Sequence, residues 1–202
     1  MMIFMRHLRI FSVWLFACAA MVSVHAAEMK SGVFDPPRAA PDFVLQGSHG
    51  EPFKLSDVRD RVVILGFGFS HCPEICPVTL ANLARVMKKL GDAADGVQVV
   101  YITVDPERDT VARLREYMQV FHPRFIGLTG DATELADIRR EYGILIEKEV
   151  KQNGNYEVHH SSYLYLIDRQ GLLRALVPYG KSVADIVHDV QILLAEPAAS
   201  KQ

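Results

Sequence analysis

The apolar and polar positions of this chain change period several times, and each change marks an element. Arg61-Val62-Val63-Ile64-Leu65-Gly66-Phe67 is a nearly unbroken apolar run rich in β-branched residues. Such a run predicts a central strand covered on both faces. Leu80, Leu83, Ala84, Met87 and Leu90 then recur at helical spacing, and Gly91 ends the pattern. Residues 97–104 predict a second buried strand, broken by Asp105-Pro106. Val111, Leu114, Met118 and Phe121 mark a second helix, and residues 125–128 a short strand. Asp131 with Glu134 three positions later is a helix-start signature. The helix it opens carries Leu135, Ile138 and Tyr142 and stops at Gly143. Strands at 162–168 and 172–177 flank the turn Arg169-Gln170-Gly171, and Ser182 opens a last helix with Ile186, Val187, Val190 and Leu194. Upstream, residues 41–45 and 53–55 predict a hairpin about the turn at 49–52.

Three stretches show no period. Residues 28–40, with Gly32, Pro36 and Pro37, read as a linker. Residues 151–155, with Asn153-Gly154, read as a polar loop, and residues 196–202 as a tail. Strands alternating with helices imply a parallel sheet at the front of the domain, and the closing hairpin adds antiparallel strands. The expectation is an α/β domain over 41–195, a mixed central sheet flanked by helices on both faces.

Composition changes this picture mainly at the amino-terminal end. The chain has 202 residues, 50% hydrophobic and 23% charged, with a net charge of -2. That suits one globular domain behind a leader and excludes disorder. A basic stripe able to neutralise phosphates is missing, which argues against a nucleic-acid partner. Arg6, His7 and Arg9 precede the apolar run Ile10 to Val24, and Val24-His25-Ala26-Ala27 offers a small-residue cleavage site. Residues 1–27 therefore read as a secretory signal peptide. Two alternatives stay open. One is a retained membrane anchor, although the run is shorter than the roughly 20 residues a span needs. The other is lipidation at Leu15-Phe16-Ala17-Cys18, where the bulky Phe16 fits poorly. Either way the domain is expected outside the cytoplasm, periplasmic or held on the inner membrane facing the periplasm.

Export changes the meaning of the cysteines. There are three, and Cys18 lies in the leader, leaving Cys72 and Cys76. An oxidising compartment permits a Cys72–Cys76 disulfide. Closing so short a loop contributes little chain entropy, so a mere crosslink is a weak reading. Thiol chemistry or metal binding is the stronger one. Residues i and i+4 share a helix face, about 6 Å apart along the axis, so the pair can be bridged or open. Pro73 and Pro77 push it toward a helix amino terminus, where unpaired N–H groups favour a thiolate. His71 either adds positive charge there or caps the chain.

The stretch Phe67-Gly68-Phe69-Ser70-His71-Cys72-Pro73-Glu74-Ile75-Cys76-Pro77 resembles the cysteine motif of the SCO/SenC family. Val104-Asp105-Pro106-Glu107-Arg108-Asp109-Thr110, Gly127-Leu128-Thr129-Gly130 and His160-Ser161-Ser162-Tyr163-Leu164-Tyr165-Leu166-Ile167-Asp168 resemble further segments of that family. The resemblance runs from about Pro41 to Leu194. It implies a thioredoxin-like fold and a role in assembling the copper centre of cytochrome c oxidase. It also implies a copper site made of Cys72, Cys76 and His160. Two soft thiolates suit Cu(I), and an added imidazole supports Cu(II). Three ligands do not make a closed structural zinc site. The implied partners are the copper-binding subunit of the oxidase, other copper chaperones and thiol reductants.

One position departs from the family pattern, which has an acidic residue before the ligand histidine where this chain has His159. On a strand His159 and His160 face opposite ways; in a loop both could reach the cysteines. Asp105 ends the second buried strand, where open α/β sheets place their sites. It either orients a ligand or meets a partner, or it is only the turn residue before Pro106. The competing function is an exported thiol-disulfide oxidoreductase without a metal. Familiar exchange motifs place two residues between the cysteines, and here there are three.

Overall fold

The computed structural model describes residues 28–198. The leader, its cleavage or anchoring, and Cys18 lie outside the described residues. In chain order the elements are β1 (Gly32–Ala39), β2 (Val44–Gly47), β3 (Pro52–Lys54), β4 (Val62–Gly68), α1 (Ile75–Leu90), β5 (Val97–Thr103), α2 (Val111–Phe121), β6 (Ile126–Thr129), α3 (Ala132–Tyr142), β7 (Ile146–Val150), β8 (Tyr156–His160), β9 (Tyr163–Ile167), β10 (Leu172–Pro178) and α4 (Val183–Ala195). An eight-stranded sheet runs in the order β1-β10-β9-β4-β5-β6-β2-β3. Strands β4, β5 and β6 are parallel and the remaining pairs antiparallel, so the sheet is mixed as expected.

The apolar runs became the centre of the molecule. All seven residues of β4 and all seven of β5 are buried. Helices cover both faces. Gly127 of β6 pairs with Tyr101 of β5 and packs against Leu114 and Met118, which places α2 on the Tyr101 face. Leu83 of α1 and Ile186 of α4 line a cavity with Tyr101 on that same face. Phe67 points the other way, with its ring 5.7 Å from that of Tyr142 in α3.

Local chemistry sets the helix ends. Asp131 forms the anticipated capping box with Glu134, and Gly143 takes the left-handed conformation at φ 68° that ends α3. Ser182 caps α4 by accepting from the Asp185 N–H.

Three expectations are corrected, and one hairpin is added. The supposed linker contains β1, which pairs antiparallel with β10. Its side chains lie mostly in solvent, so no apolar period betrays it. Pro36 and Pro37 fall where the register shifts, at an edge that tolerates missing donors. The expected polar loop at 151–155 is present, and it forms the turn of an unforeseen separate hairpin, β7–β8, with the Lys151 N–H donating to the Asn155 carbonyl at 2.7 Å. Strand β7 is exposed at every residue, which again erases the period. Helix α1 begins at Ile75, so Cys72 precedes the helix instead of sharing it. Glu196 is held rather than trailing, because its carboxylate accepts from Arg174 Nη2 at 2.9 Å.

Candidate metal centre

The loop between β4 and α1 carries Cys72, and Cys76 is the second residue of α1. Both are free thiols, Cys76 fully buried and Cys72 partly exposed. The Cys76 backbone N–H donates to the Cys72 sulfur at 3.4 Å, so the thiol meets the unpaired donors of the helix start. A buried carboxylate fixes this loop from below. Asp109 accepts from the Ser70 N–H at 3.0 Å, from Ser70 Oγ at 2.6 Å and from Thr103 Oγ1 at 2.7 Å. Arg113 Nε donates to Ser70 Oγ at 3.0 Å. His71 belongs to the same anchor, its Nδ1 3.1 Å from Ser70 Oγ and 3.8 Å from Asp109 Oδ1.

The two thiols share one proton unequally. A hydrogen bond from the Cys76 thiol lowers the Cys72 pKa from 9.0 to about 5, helped by the backbone N–H groups of Cys76, Glu74 and Ile75 and opposed by burial. The same hydrogen bond, together with burial, pushes Cys76 far upward. At neutral pH the pair is a Cys72 thiolate beside a Cys76 thiol.

His160 ends β8 and brings Nε2 to 3.8 Å from the Cys76 sulfur. Its Nδ1 lies 2.8 Å from the Ser161 carbonyl oxygen, which assigns the proton to Nδ1 and leaves the Nε2 lone pair free. Burial lowers the His160 pKa and keeps the ring neutral. A backbone carbonyl thus performs the orienting task that a carboxylate performs elsewhere. The ring stands edge-on to Phe69, with centroids 6.0 Å apart.

His159 is not brought to the cysteines. The stretch is a strand, and the alternating side chains put its Nε2 3.7 Å from Glu149 on the hairpin's outer face. Asp105 is buried and acts at one remove. It accepts from the Tyr156 hydroxyl at 2.7 Å and from Arg108 Nε. The Arg108 guanidinium stacks over the Tyr156 ring at 4.0 Å and over Phe69 at 5.7 Å. Asp105 therefore ties the end of β5 to β8, the strand that carries His160.

Sequence reasoning missed Tyr156, Arg108, Asp109 and Ser70. The only signal for Tyr156 was its even spacing from His160, which becomes readable once β8 is known to be a strand. Phe69, Cys72, Pro73, Arg108, Tyr156 and His160 line an open groove of about 470 Å³. Cys72 and His160 open into this groove and the Cys76 sulfur lies behind them, 3.8 Å from His160 Nε2, giving a donor set of two sulfurs and one imidazole nitrogen. That set fits a thiophilic metal that accepts low coordination and falls short of a closed tetrahedral zinc site. Among the described residues no helix is long and apolar enough to cross a membrane.

Comparison with known proteins gives a consistent pattern. A family model described as SCO1/SenC matches residues 34–195. The mitochondrial SCO2 homologue of Mus musculus is 40% identical over 153 residues, 74% of this chain and 60% of that protein. An SCO2-like protein of Rickettsia prowazekii is 37% identical over 131 residues, 64% of each chain. This chain spans about three fifths of the length of the curated relatives it matches. Among solved structures, Arabidopsis thaliana ScoI with copper bound superposes with a TM-score of 0.71 at 33% identity, covering 76% of this chain and 97% of that one. Apo Sco1 of Thermus thermophilus gives 0.72 at 33% identity, covering 82% and 95%.

Proposed function

Because the chain belongs to the SCO1/SenC family, we propose that it is an exported copper-binding assembly factor serving the copper site of cytochrome c oxidase. One observation carries the reading. Residues 84 positions apart converge so that the free Nε2 of His160 faces the buried sulfur of Cys76, with the Cys72 thiolate beside it. Copper would be held by Cys72, Cys76 and His160, and the soft sulfurs would favour Cu(I). Solved relatives from Arabidopsis thaliana and yeast that contain copper support the choice of metal.

This chain's residues supply the rest. Cys72 is already ionised, so only Cys76 must release a proton when it ligates. His160 arrives neutral with the right nitrogen exposed, so no tautomer change is needed. The groove bounded by Phe69, Arg108 and Tyr156 leaves the site open toward one side, as cargo transfer to a partner requires. The partner of this reading is the copper-binding subunit of the oxidase, met outside the cytoplasm near the membrane.

A second reading follows from the unequal thiols. The Cys72 thiolate can attack a partner disulfide, forming one S–S bond and releasing one partner thiolate. Cys76 then attacks the mixed disulfide and gives up its proton. The products are a Cys72–Cys76 disulfide and a partner dithiol, and two electrons have moved to the partner.

Titration of the reduced protein with Cu(I) against a competing chelator separates the readings. One equivalent should bind. His160→Ala should weaken it by at least about tenfold, the scale on which even outer partners of a metal site act. Binding that ignores His160→Ala, or no binding at all, leaves only the exchange reading.

A further inference from the structure

We propose that the free edge of β8 is a docking strand: an extended, cysteine-bearing segment of the partner, with basic residues flanking its cysteine, adds to β8 and lays that cysteine beside Cys72. The proposal rests on the site described above and names the kind of segment that reaches it.

The small sheet gives β8 one neighbour, β7, among the described residues. The register shows which backbone groups that pairing uses. The Ser161 N–H donates to the Leu145 carbonyl at 3.1 Å and the Lys151 N–H to the Asn155 carbonyl at 2.7 Å, so the odd-numbered residues form the hydrogen-bonded pairs of this ladder. Tyr156, Val158 and His160 therefore turn their backbone N–H and C=O groups away from β7. Arg108 Nη1 donates to the Tyr156 carbonyl and Ser162 Oγ to the His160 carbonyl, each at 3.4 Å. Among the described residues nothing takes up the Val158 N–H or C=O, in the middle of the edge.

That edge faces the cysteines. All five residues of β8 border the groove that holds Cys72 and His160, and no residue of β7 does. Side chains alternate along a strand, so a groove lying on one face of β8 would meet every second residue. Five consecutive residues meet a groove that runs along the edge. Its opposite wall is the cysteine loop, with Phe69, Cys72 and Pro73.

The other sheet edges are guarded. Strand β1 carries Pro36 and Pro37, β3 begins with Pro52, and β7 carries Glu147, Lys148 and Glu149 in succession. Proline and charge are what discourage a further strand from pairing. Strand β8 has no proline and sits beside the reactive thiol. Charge selects the occupant. Arg108 is paired with Asp105 and Glu157 with Lys151, so Cys72 and Glu74 leave the groove negative. Backbone pairing to an edge gives affinity for any extended segment, and this charge favours one with Lys or Arg around its cysteine.

The probe is the capped peptide Lys-Val-Thr-Cys-Thr-Val-Lys, its cysteine disulfide-linked to thionitrobenzoate. Attack by the Cys72 thiolate breaks that S–S bond, joins the Cys72 sulfur to the peptide sulfur and releases the coloured thionitrobenzoate anion. Two further versions carry backbone N-methyl groups on alternate sets of residues. An added strand aims one set of N–H groups at β8, so one version should react about tenfold more slowly, the worth of one or two hydrogen bonds, and the other at the parent rate. Glu in place of both lysines should slow the reaction, with added salt narrowing the difference. In Cys76→Ser, which retains the mixed disulfide, the Val158 amide should exchange more slowly than in the free protein. Equal rates for the two methylated peptides, a Glu peptide as fast as the Lys peptide, or an unprotected Val158 amide overturns the proposal. If Cys72 attacks none of the peptides, the exchange reading fails on its own. Protection of the Val158 amide by excess parent peptide, lost with one methylated version and kept with the other, then decides for or against the docking strand.

Discussion

Cys72 and Cys76 are chemically different residues although the sequence presents them as a pair. The difference comes from where α1 starts. Cys72 sits just outside the helix and collects N–H donors, whereas Cys76 lies inside and is buried. Its lowered pKa makes Cys72 a thiolate at every pH above about 5, and the sign is that of an acid stabilised in its charged form. Its alkylation rate, followed by peptide mass spectrometry, should therefore rise as pH is raised through about 5 and be flat by neutrality. An ordinary thiol would still gain rate toward pH 9. Cys76→Ala removes the largest cause of the shift, so Cys72 should become slower at pH 6 in that variant. Continued gain between pH 7 and 9 in the wild type would contradict the assignment. The two cysteines and their place at a helix start were legible from Pro73, Pro77 and the flanking periods. His160 was legible only through the family resemblance, because nothing in its own neighbourhood marks it. Asp109 stood in a family-like stretch, but its role was not legible, since its partners Ser70 and Thr103 lie at other points of the chain and are joined to it only by folding.

At the scale of elements, the hairpin β7–β8 matters most for the site, and it was the element hardest to read. It packs outside the main sheet; β7 is exposed at every residue, and β8 alternates over only five residues, too few to stand out. Besides Val158, which packs against the core, its attachment is polar and local: Tyr156 to Asp105, Arg108 over Tyr156, and Lys148 paired with Glu107 at 2.8 Å. The Lys148–Glu107 pair is exposed and contributes little, which leaves the buried Asp105 carboxylate as the main tie. Tyr156→Phe keeps the stacked ring and deletes the tie. Copper affinity should then fall about three- to tenfold, only part of the worth of a hydrogen bond to a charged group, because Arg108 still stacks on the Tyr156 ring and holds β8. Amide exchange in β8 should quicken while β4 and β5 stay protected. Unchanged exchange in β8 would show that stacking alone seats His160. The same physics explains why β1 read as a linker. Edge strands held by backbone pairing leave no periodic trace, whereas β4 and β5, buried on both faces, were plain from their residues alone.

On the scale of the whole molecule, topology assembles the centre. Strand β9 pairs antiparallel with β4, and Leu164 lies opposite Gly66. The chain therefore enters β9 at the sheet end where it leaves β4, which sets His160 beside the cysteine loop despite 84 intervening residues. Strand β1 stands apart from this arrangement, separated from β4 by β10 and β9. Its approach is clamped by Asp189 of α4, fully buried, which accepts from the backbone N–H groups of Lys30 at 2.7 Å and Ser31 at 2.9 Å. Asp189→Ala leaves those two donors without their acceptor and opens a small void in α4. The expected cost is about 2–3 kcal/mol in urea unfolding, the range for a hydrogen-bonded charged group removed from a buried position. Cu(I) affinity should be unchanged, because the sheet order keeps β1 two strands away from the strand that leads into the cysteines. Loss of copper binding in a folded Asp189→Ala protein would mean that the edge strand and the metal centre form one cooperative unit. Loss of stability alone would mean that β1 fastens the chain's amino-terminal end to the domain and leaves the site to the central strands.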